Sequence, residues 1–333
     1  MARYSFHDLI LEVQPDELES RSGLAGLWSN LSWVPAASEG MPFTDLSFRV
    51  HTGEFKVPTN GSFAFEADGV SGIEDHDAFY LSDGSSVFYL QPTLKQADAY
   101  LSPSFFDKSV LQQSNFWSFC LLKLLRTLGF FSLHAAGLVS PEGQGTLVVG
   151  APGSGKSTLA LGLIRNGWGF LSDDAVLVHR ELTSVKALPL RRHFYIDANA
   201  APEYCDLRLG KEVADNAGGW RRRVYVEDAY SGQQLAVCVP EVLIFTTIVS
   251  QEHSTLLPLN HVAALKHLLD GSGSQLFDRQ AMGTHLETLK GLLRQSMSYH
   301  LSAGLDVYRK PSFLLNLMRV VKEEERCRAL SSN

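Results

Sequence analysis

The chain has 333 residues, 45% of them hydrophobic and 20% charged, so it is long enough for two domains and can bury a sizeable core. Its formal net charge of −7 argues against a general role in neutralising nucleic-acid phosphates, and we expect no nucleic-acid partner. The cysteines form no CxxC pair, the first residues lack the basic start and apolar core of a signal peptide, and no apolar run is long enough to span a membrane. These features predict a soluble cytoplasmic protein with no membrane partner.

The first part of the chain reads as short strands and turns. Residues 43–57 alternate around a turn at Thr52–Gly53, and residues 77–92 predict a hairpin with Asp83–Gly84 at its bend. Residues 111–128 change to helical spacing, which predicts an amphipathic helix that ends near Gly129. We therefore expect residues 1–129 to form a β-rich α+β domain that ends in a helix.

From residue 130 the pattern becomes α/β, with apolar runs alternating with helical segments. In chain order we expect two apolar strands at 132–140 and 145–151, a helix at 155–166 ending at Gly167, a strand at 169–181, and loops around short elements at 187–235. A strand region at 235–249 and helices at 258–270, 283–301 and 312–329 follow.

The run GAPGSGKS, from Gly150 to Ser157, matches the phosphate-loop pattern G-x-x-x-x-G-K-[ST] between an apolar strand and a helix. Its glycines let backbone N–H groups turn inward around phosphate oxygens, and the helix N-terminus adds positive charge. Lys156 can reach the β and γ phosphates, and the Ser157 hydroxyl can bind Mg²⁺. The alternative is a glycine-rich turn that binds nothing. We expect ATP and Mg²⁺, with the nucleotide held by Gly150, Ala151, Pro152, Gly153, Ser154, Gly155, Lys156, Ser157 and Thr158.

Two adjacent carboxylates, Asp173 and Asp174, precede the apolar run AVLV. Such a pair at the start of a strand is costly unless it is solvated or neutralised, and a metal ion or a hydroxyl substrate would neutralise it. Because adjacent side chains of a strand point to opposite sides, one aspartate could approach the metal while the other faces the substrate. The alternative is a solvated turn. A further candidate, His134, interrupts an apolar run ahead of the phosphate loop.

With His134, the phosphate loop and Asp173–Asp174 in this order, the chain resembles the HPr kinase/phosphorylase family. The catalytic domain of that family shares a fold with P-loop-type PEP carboxykinases. The resemblance covers 130–185 well and 236–300 loosely. It implies an α/β fold in which a PEP carboxykinase-like P-loop kinase domain occupies 130–333. Residues 1–129 do not resemble the family's usual N-terminal domain, and our own hypothesis is that they help to recognise the substrate.

The resemblance further implies an ATP-dependent kinase that transfers the γ-phosphoryl group to a serine-type hydroxyl of a protein or peptide, and a homo-oligomer. Carried over, His134 and one aspartate act around the attacking hydroxyl, and the other aspartate works with the metal. We favour Asp174 as the base, and Asp173 with Ser157 as metal ligands. The resemblance also implies a catalytic arginine. The candidates are Arg191, Arg192, Arg221, Arg222 and Arg223, and we select Arg222.

Two other functions fit the same residues. One is a kinase for a small molecule such as a free amino acid, and the other is a regulatory module that binds ATP without transferring its phosphate. Several histidines show no metal-ligand spacing and are expected to be ordinary surface or core residues: His179, His193, His253, His261, His267, His285 and His300.

Overall fold

The computed structural model describes residues 2–15, 31–36, 44–197, 207, 212–214, 219–273, 280–309, 313, 315–316, 319–320 and 323. The chain divides into two compact units that alternate along the sequence. Unit 1 comprises Met1–Ser132, Leu190–Val224 and Ser274–Leu286, and unit 2 comprises Leu133–Pro189, Tyr225–Gly273 and Glu287–Asn333. The expected mixed α/β class with a β-rich first part is confirmed. The assignment of substrate recognition to 1–129 and of catalysis to 130–333 stays a prediction.

Unit 1 contains a nine-stranded sheet. Its strands are β1 (Ala2–Phe6), β2 (Leu9–Pro15), β3 (Val34–Pro35), β4 (Leu46–Thr52), β5 (Ser62–Ala67), β6 (Val70–Asp75), β7 (Ala78–Ser82), β8 (Val87–Gln91) and β9 (Gln96–Leu101). They are ordered β3-β1-β2-β4-β9-β8-β7-β6-β5. Strands β7 and β8 form the predicted hairpin, and in its bend the Asp83 carboxylate accepts the N–H groups of Ser85 and Ser86. The second arm expected after Thr52–Gly53 is wrong, because β4 pairs in parallel with β2 and β9 instead.

Helix α1 (Val110–Thr127) covers one face of this sheet. Its start is a capping box in which Ser109 and Gln112 satisfy each other's backbone N–H groups. Trp117 contacts the rings of Phe48 and Phe88, with centroids 5.6 and 4.6 Å away. The predicted amphipathic helix is therefore confirmed, and its aromatic side joins the core of unit 1.

The remaining elements follow in chain order. They are β10 (Phe130–Leu133), β11 (Ala135–Val139), β12 (Gly145–Val149), α2 (Lys156–Ile164), β13 (Gly169–Ser172), β14 (Val176–Arg180), β15 (Val185–Pro189), β16 (His193–Asp197), β17 (Glu212–Ala214), β18 (Trp220–Tyr225), α3 (Val226–Ala229), β19 (Pro240–Ile248), β20 (Thr255–Pro258), α4 (His261–Asp270), α5 (Met282–Gln295), β21 (Met297–Ala303) and α6 (Asp306–Arg309). None of the helices within the described residues is both long and apolar enough to span a membrane.

Unit 2 is built on a six-stranded sheet with the order β13-β11-β12-β19-β21-β20. Strand β11 runs antiparallel to both of its neighbours, β12 and β13. Strand β19 runs parallel to β12 on one side and to β21 on the other. Because of these directions, the start of β11 meets the ends of β12, β13, β19 and β21 along the same edge of the sheet.

Three expectations for this region need correction. The strand expected at 169–181 is two strands, β13 and β14, separated by a turn in which Asp174 has a φ of +66°. The helix expected at 283–301 ends at Gln295, because β21 pairs with both β19 and β20 in the sheet. The run at 132–140 is broken at His134, between β10 and β11. Most of the helix expected at 312–329 lies outside the described residues.

A buried aromatic residue of unit 1 tests the packing of α1. Phe88 is fully buried against Phe116 and Trp117, so Phe88→Ala should lower the free energy of unfolding by about 3–5 kcal/mol. Phe63→Ala, at a side chain that is 68% exposed, is the matched control and should change it by less than about 0.5 kcal/mol. The measurement is urea unfolding followed by tryptophan fluorescence. Equal losses in the two variants would contradict the packing described here.

Candidate functional site

The site lies where the strands of unit 2 meet at one edge of the sheet. His134 immediately precedes β11, Gly150 follows β12, and Asp173 follows β13. The pairing Ala135↔Val149 sets the first two elements side by side, and Gly137↔Ser172 brings the third to the same edge. The structure therefore gathers His134, the phosphate loop and the aspartate pair, as the sequence order suggested.

The phosphate loop approaches its neighbours closely. A Cβ atom added to Gly150 would lie 2.9 Å from the carbonyl oxygen of Thr246, too near for any other residue type. Gly155 has a φ of +90° and precedes α2, where a side chain would be strained. The Thr246 hydroxyl donates to the carbonyl of Ser154 at 3.3 Å, which ties the loop to the end of β19.

The ammonium group of Lys156 is buried and contacts three acceptors. It donates to the carbonyl oxygens of Gly150 at 2.8 Å and Ala151 at 2.9 Å, and it lies 3.0 Å from Nε2 of His134. Burial lowers the pKa of Lys156, and the negative charges of Asp174 and Asp173 act in the opposite direction. The lysine is therefore held at the mouth of the loop, at the centre of the candidate site.

His134 connects this lysine to Asp174. Its Nδ1 lies 2.8 Å from the backbone carbonyl oxygen of Asp174, and because a carbonyl can only accept, we assign the ring proton to Nδ1. Nε2 is then the acceptor for the Lys156 ammonium. Nδ1 is also 3.1 Å from the Asp174 carboxylate oxygen Oδ1. The imidazole is thus neutral in this arrangement and links the two charged groups.

The two aspartates occupy different environments. Asp173 is buried and accepts the Ser157 hydroxyl at Oδ2 (2.8 Å), whereas the Asp174 side chain is 46% exposed. Burial, and then the charge of Asp174, raise the pKa of Asp173 to about 6. Their separation arises from the turn and the left-handed backbone of Asp174, and the expected alternation along a strand is not the cause.

A divalent cation fits the environment of Asp173. Its Oδ1 is buried and has no hydrogen-bond partner among the described residues, and the Ser157 hydroxyl stands beside the same carboxylate. In the described part of the chain, no group of three or more His, Cys, Asp or Glu side chains is arranged to hold a metal ion. Mg²⁺ characteristically takes one or two protein ligands together with substrate phosphates, so this small donor set suits it.

The remaining predicted residues are placed as follows. Ala151, Pro152, Gly153 and Thr158 are exposed on the loop and the first turn of α2. Arg222 belongs to unit 1, on β18, where it pairs in register with Glu212 of β17. The catalytic role of Arg222 stays a prediction.

A cavity of about 520 Å³ extends from the loop along the ends of β12 and β19. His134 and Gly150–Ser154 form one side of it. The other residues that line it were not predicted from the sequence: Phe245, Thr246, Thr247, Ile248, His267, Asp270, Gly271 and His300. The signal that could have found some of them is the position of 242–248, an apolar run that ends beside the loop only if it pairs in parallel with β12. His267 and His300, expected to be ordinary histidines, line this cavity.

The raised pKa of Asp173 predicts a pH-dependent stability in metal-free buffer. Because the folded state holds this proton more tightly than the unfolded chain, the free energy of unfolding should fall as pH rises from about 4 to above 6. Asp173→Asn removes the titrating carboxyl group. The free energy of unfolding of this variant, relative to that of wild type, should therefore rise by about 3 kcal/mol across that pH window. Urea unfolding at a series of pH values measures the difference.

Asp68→Asn is the control for this experiment, since Asp68 lies in an exposed turn. Its difference from wild type should stay constant with pH. A constant difference for Asp173→Asn as well would contradict the environment described for Asp173.

Comparison with known proteins identifies relatives for part of the chain. No protein-family model matches it. The HPr kinase/phosphorylase of Mycoplasmopsis pulmonis (strain UAB CTIP) is 36% identical over 102 residues, which are 29% of this chain and 31% of that protein. The HPr kinase/phosphorylase of Chlorobium chlorochromatii (strain CaD3) is 40% identical over 67 residues, 20% of each chain. The chain thus spans about a third or less of the curated relatives that it matches.

Among solved structures, the Hpr(Ser) kinase/phosphatase from Coxiella burnetii aligns with a TM-score of 0.35 and 14% identity over 60% of this chain and 95% of that one. The two partial sequence matches carry the same family name that the order of His134, the phosphate loop and the aspartate pair suggested. These partial matches support an HPr kinase-like family for the stretch of the chain that they cover.

Proposed function

We propose that this protein is an ATP-dependent kinase that transfers the γ-phosphoryl group to a serine-type hydroxyl of a protein or peptide. The observation that carries the proposal is the continuous set of contacts Lys156–His134–Asp174, beside the pair Ser157–Asp173, at the start of α2. A loop that only bound phosphate would need neither the histidine nor the exposed carboxylate. The partial relatives are named kinases, which supports the same reaction class.

Lys156 and the loop position the triphosphate. The backbone N–H groups at the start of α2 and the Lys156 ammonium offer donors and positive charge for phosphate oxygens. Phosphate oxygens would take the place of the loop carbonyls as partners of the ammonium. Phosphoryl transfer depends mainly on positioning and charge neutralisation, so Lys156 and the loop would make the largest contribution to the rate of transfer.

Asp174 is the base in this proposal. Its carboxylate is half exposed, so an acceptor hydroxyl can reach it, and His134 orients it through the contact at 3.1 Å. As the hydroxyl oxygen forms a bond to the γ-phosphorus, its proton passes to Asp174, and the bond from the γ-phosphorus to the β–γ bridging oxygen breaks to release ADP. Since Nε2 of His134 already accepts from Lys156, the histidine acts by positioning.

Asp173 and Ser157 would hold Mg²⁺, which when bound neutralises charge on the phosphates. The buried Oδ1 of Asp173 and the neighbouring hydroxyl supply the oxygen donors. Ionised Asp173 is the form that binds a cation, so a nearby divalent charge would favour its deprotonation.

The acceptor is proposed to be a serine-bearing protein or peptide, because the relatives carry the name of the protein HPr. Residues 1–129 would contribute to its recognition, and Arg222 would contribute positive charge to the transferring group. We also propose a cytoplasmic homo-oligomer.

Two variants separate binding from transfer. Lys156→Ala should abolish both ATP binding and phosphate transfer, because it removes the phosphate partner. Asp174→Asn should lower the transfer rate by about 10²–10⁴-fold while leaving ATP affinity unchanged, because it removes only the base. Asparagine tolerates the left-handed backbone at this position, so the fold is preserved. The measurements are calorimetric ATP binding and transfer of labelled phosphate to serine peptides, phosphocarrier proteins and free amino acids.

Asp68→Asn is the matched control, since Asp68 also has a positive φ, of +50°, and is exposed. It should behave as wild type in both assays. Transfer confined to free amino acids would overturn the protein acceptor, and ATP binding without transfer to any acceptor would overturn the kinase.

The metal site has its own test, which needs no turnover. Wild type should bind ATP more tightly with Mg²⁺ than with EDTA, and Asp173→Asn should lose most of that difference because a ligand is missing. Ser157→Ala should weaken the difference in the same direction, and Asp68→Asn should retain it. Calorimetry with Mg²⁺ and with EDTA gives the ratio of the two ATP affinities for each of the four proteins. A Mg²⁺ effect of wild-type size in Asp173→Asn would remove Asp173 from the metal site.

A further inference from the structure

We infer that the wall of the cavity formed by Phe245, His267, Asp270 and His300 is the subsite for the base of the nucleotide, and that it selects a purine with an exocyclic amino group. The inference rests on the proposed function, because it takes the phosphate loop to hold a nucleoside triphosphate. It assigns a role to side chains for which neither the motif nor the reaction accounts.

The rings of this wall already form a stack. Phe245 faces His267 with centroids 5.2 Å apart and planes 29° from parallel, and His267 faces His300 at 6.3 Å and 27°. Phe245 and His300 lie opposite each other in the pairing of β19 with β21, while His267 comes from the last turn of α4. Imidazole and phenyl faces are surfaces on which nucleobases stack.

The position of the wall relative to the loop fits the base end of a nucleotide. The aspartate turn follows β13, and β13 lies beyond β11 on one side of β12, whereas the ring stack is on the β19 and β21 side. A triphosphate whose γ end points toward Asp174 therefore leaves its nucleoside end on the other side of the loop. There the cavity of about 520 Å³ joins Gly150–Ser154 directly to the ring stack.

The charge of the wall selects the kind of ring. Asp270 ends α4 and lines the cavity, so its carboxylate adds to the negative end of the helix dipole. An acid at this position is unfavourable for the helix, and the local field disfavours phosphate or carboxylate ligands. It favours a base that presents N–H donors, such as the 6-amino group of adenine, over a purine ring that carries no amino group.

The test compares ligands that share the triphosphate and differ in the base. The Mg²⁺ complexes of ATP, of purine riboside triphosphate, which lacks the 6-amino group, and of inorganic tripolyphosphate are titrated by calorimetry into wild type, His267→Ala and Asp270→Asn. His261→Ala is the matched control, because His261 lies at the exposed first turn of the same helix and outside the cavity.

We expect His267→Ala to weaken ATP binding by about tenfold, the loss typical of removing one base–aromatic stack, and to leave tripolyphosphate binding unchanged. Asp270→Asn should lower the preference for ATP over purine riboside triphosphate, because a neutral amide oxygen accepts more weakly from the 6-amino group than a carboxylate does. His261→Ala should match wild type for all three ligands.

Equal losses for ATP and tripolyphosphate, or no loss for either, would overturn the base subsite while leaving the proposed kinase in place. A rise in the acceptor KM with unchanged nucleotide affinity would assign the wall to the acceptor and would also overturn it. If wild type binds neither ATP nor tripolyphosphate, the proposed function itself fails, and this outcome is distinct from the others.

Discussion

The direction of β11 is the constraint on which the candidate site depends. This strand is antiparallel to both β12 and β13, so its first residue lies beside their last residues. His134, the phosphate loop and the aspartate turn consequently occupy one edge of the sheet, although they come from three different connections. With β11 reversed in direction, the histidine would lie at the opposite edge from the lysine that it contacts.

Burial and charge act against each other within this edge. Burial alone disfavours the charged forms of both Lys156 and Asp173, lowering one pKa and raising the other. Hydrogen bonds offset part of the free-energy cost of burial: the loop carbonyls and His134 accept from Lys156, and the Ser157 hydroxyl donates to Asp173. Among the described residues of this edge, two buried oxygens are left without a hydrogen-bond partner, Oδ1 of Asp173 and Oγ of Ser154. A site of this kind is prepared for ligands that bring the opposite charges with them, a polyphosphate for the lysine and a cation for the carboxylate.

The features that the sequence predicted well are local ones. The phosphate loop, the hairpin around Asp83–Gly84 and the helix before Gly129 each depend on residues close together in the chain, and pattern alone is enough to locate them. The errors come from long-range pairing. Residues 297–301 continue a helical pattern in sequence, but they form a strand because β19 and β20 supply partners on both sides.

The same reason explains what was missed in the site. His267 and His300 have no informative spacing, and they meet only because α4 and β21 are both brought to β19. The aspartate turn was taken for the start of a strand because the residues that follow it are apolar. Aspartate occurs in many backbone conformations, so its presence at 174 does not by itself indicate a positive φ. A role for Arg222 cannot be read from spacing either, since it lies in the other unit.

The short connections around β11 also bear on how such proteins diverge. The histidine, the lysine and the carboxylates that contact one another all come from residues 134–174, a continuous stretch that bonds to distant segments at Thr246 and Gly271. Substitutions and insertions away from this stretch and those two contacts can therefore accumulate without separating the histidine, the lysine and the carboxylates. Related proteins can therefore differ in the segments around this stretch, and so in the acceptor that they recognise, while the stretch keeps its contacting side chains together.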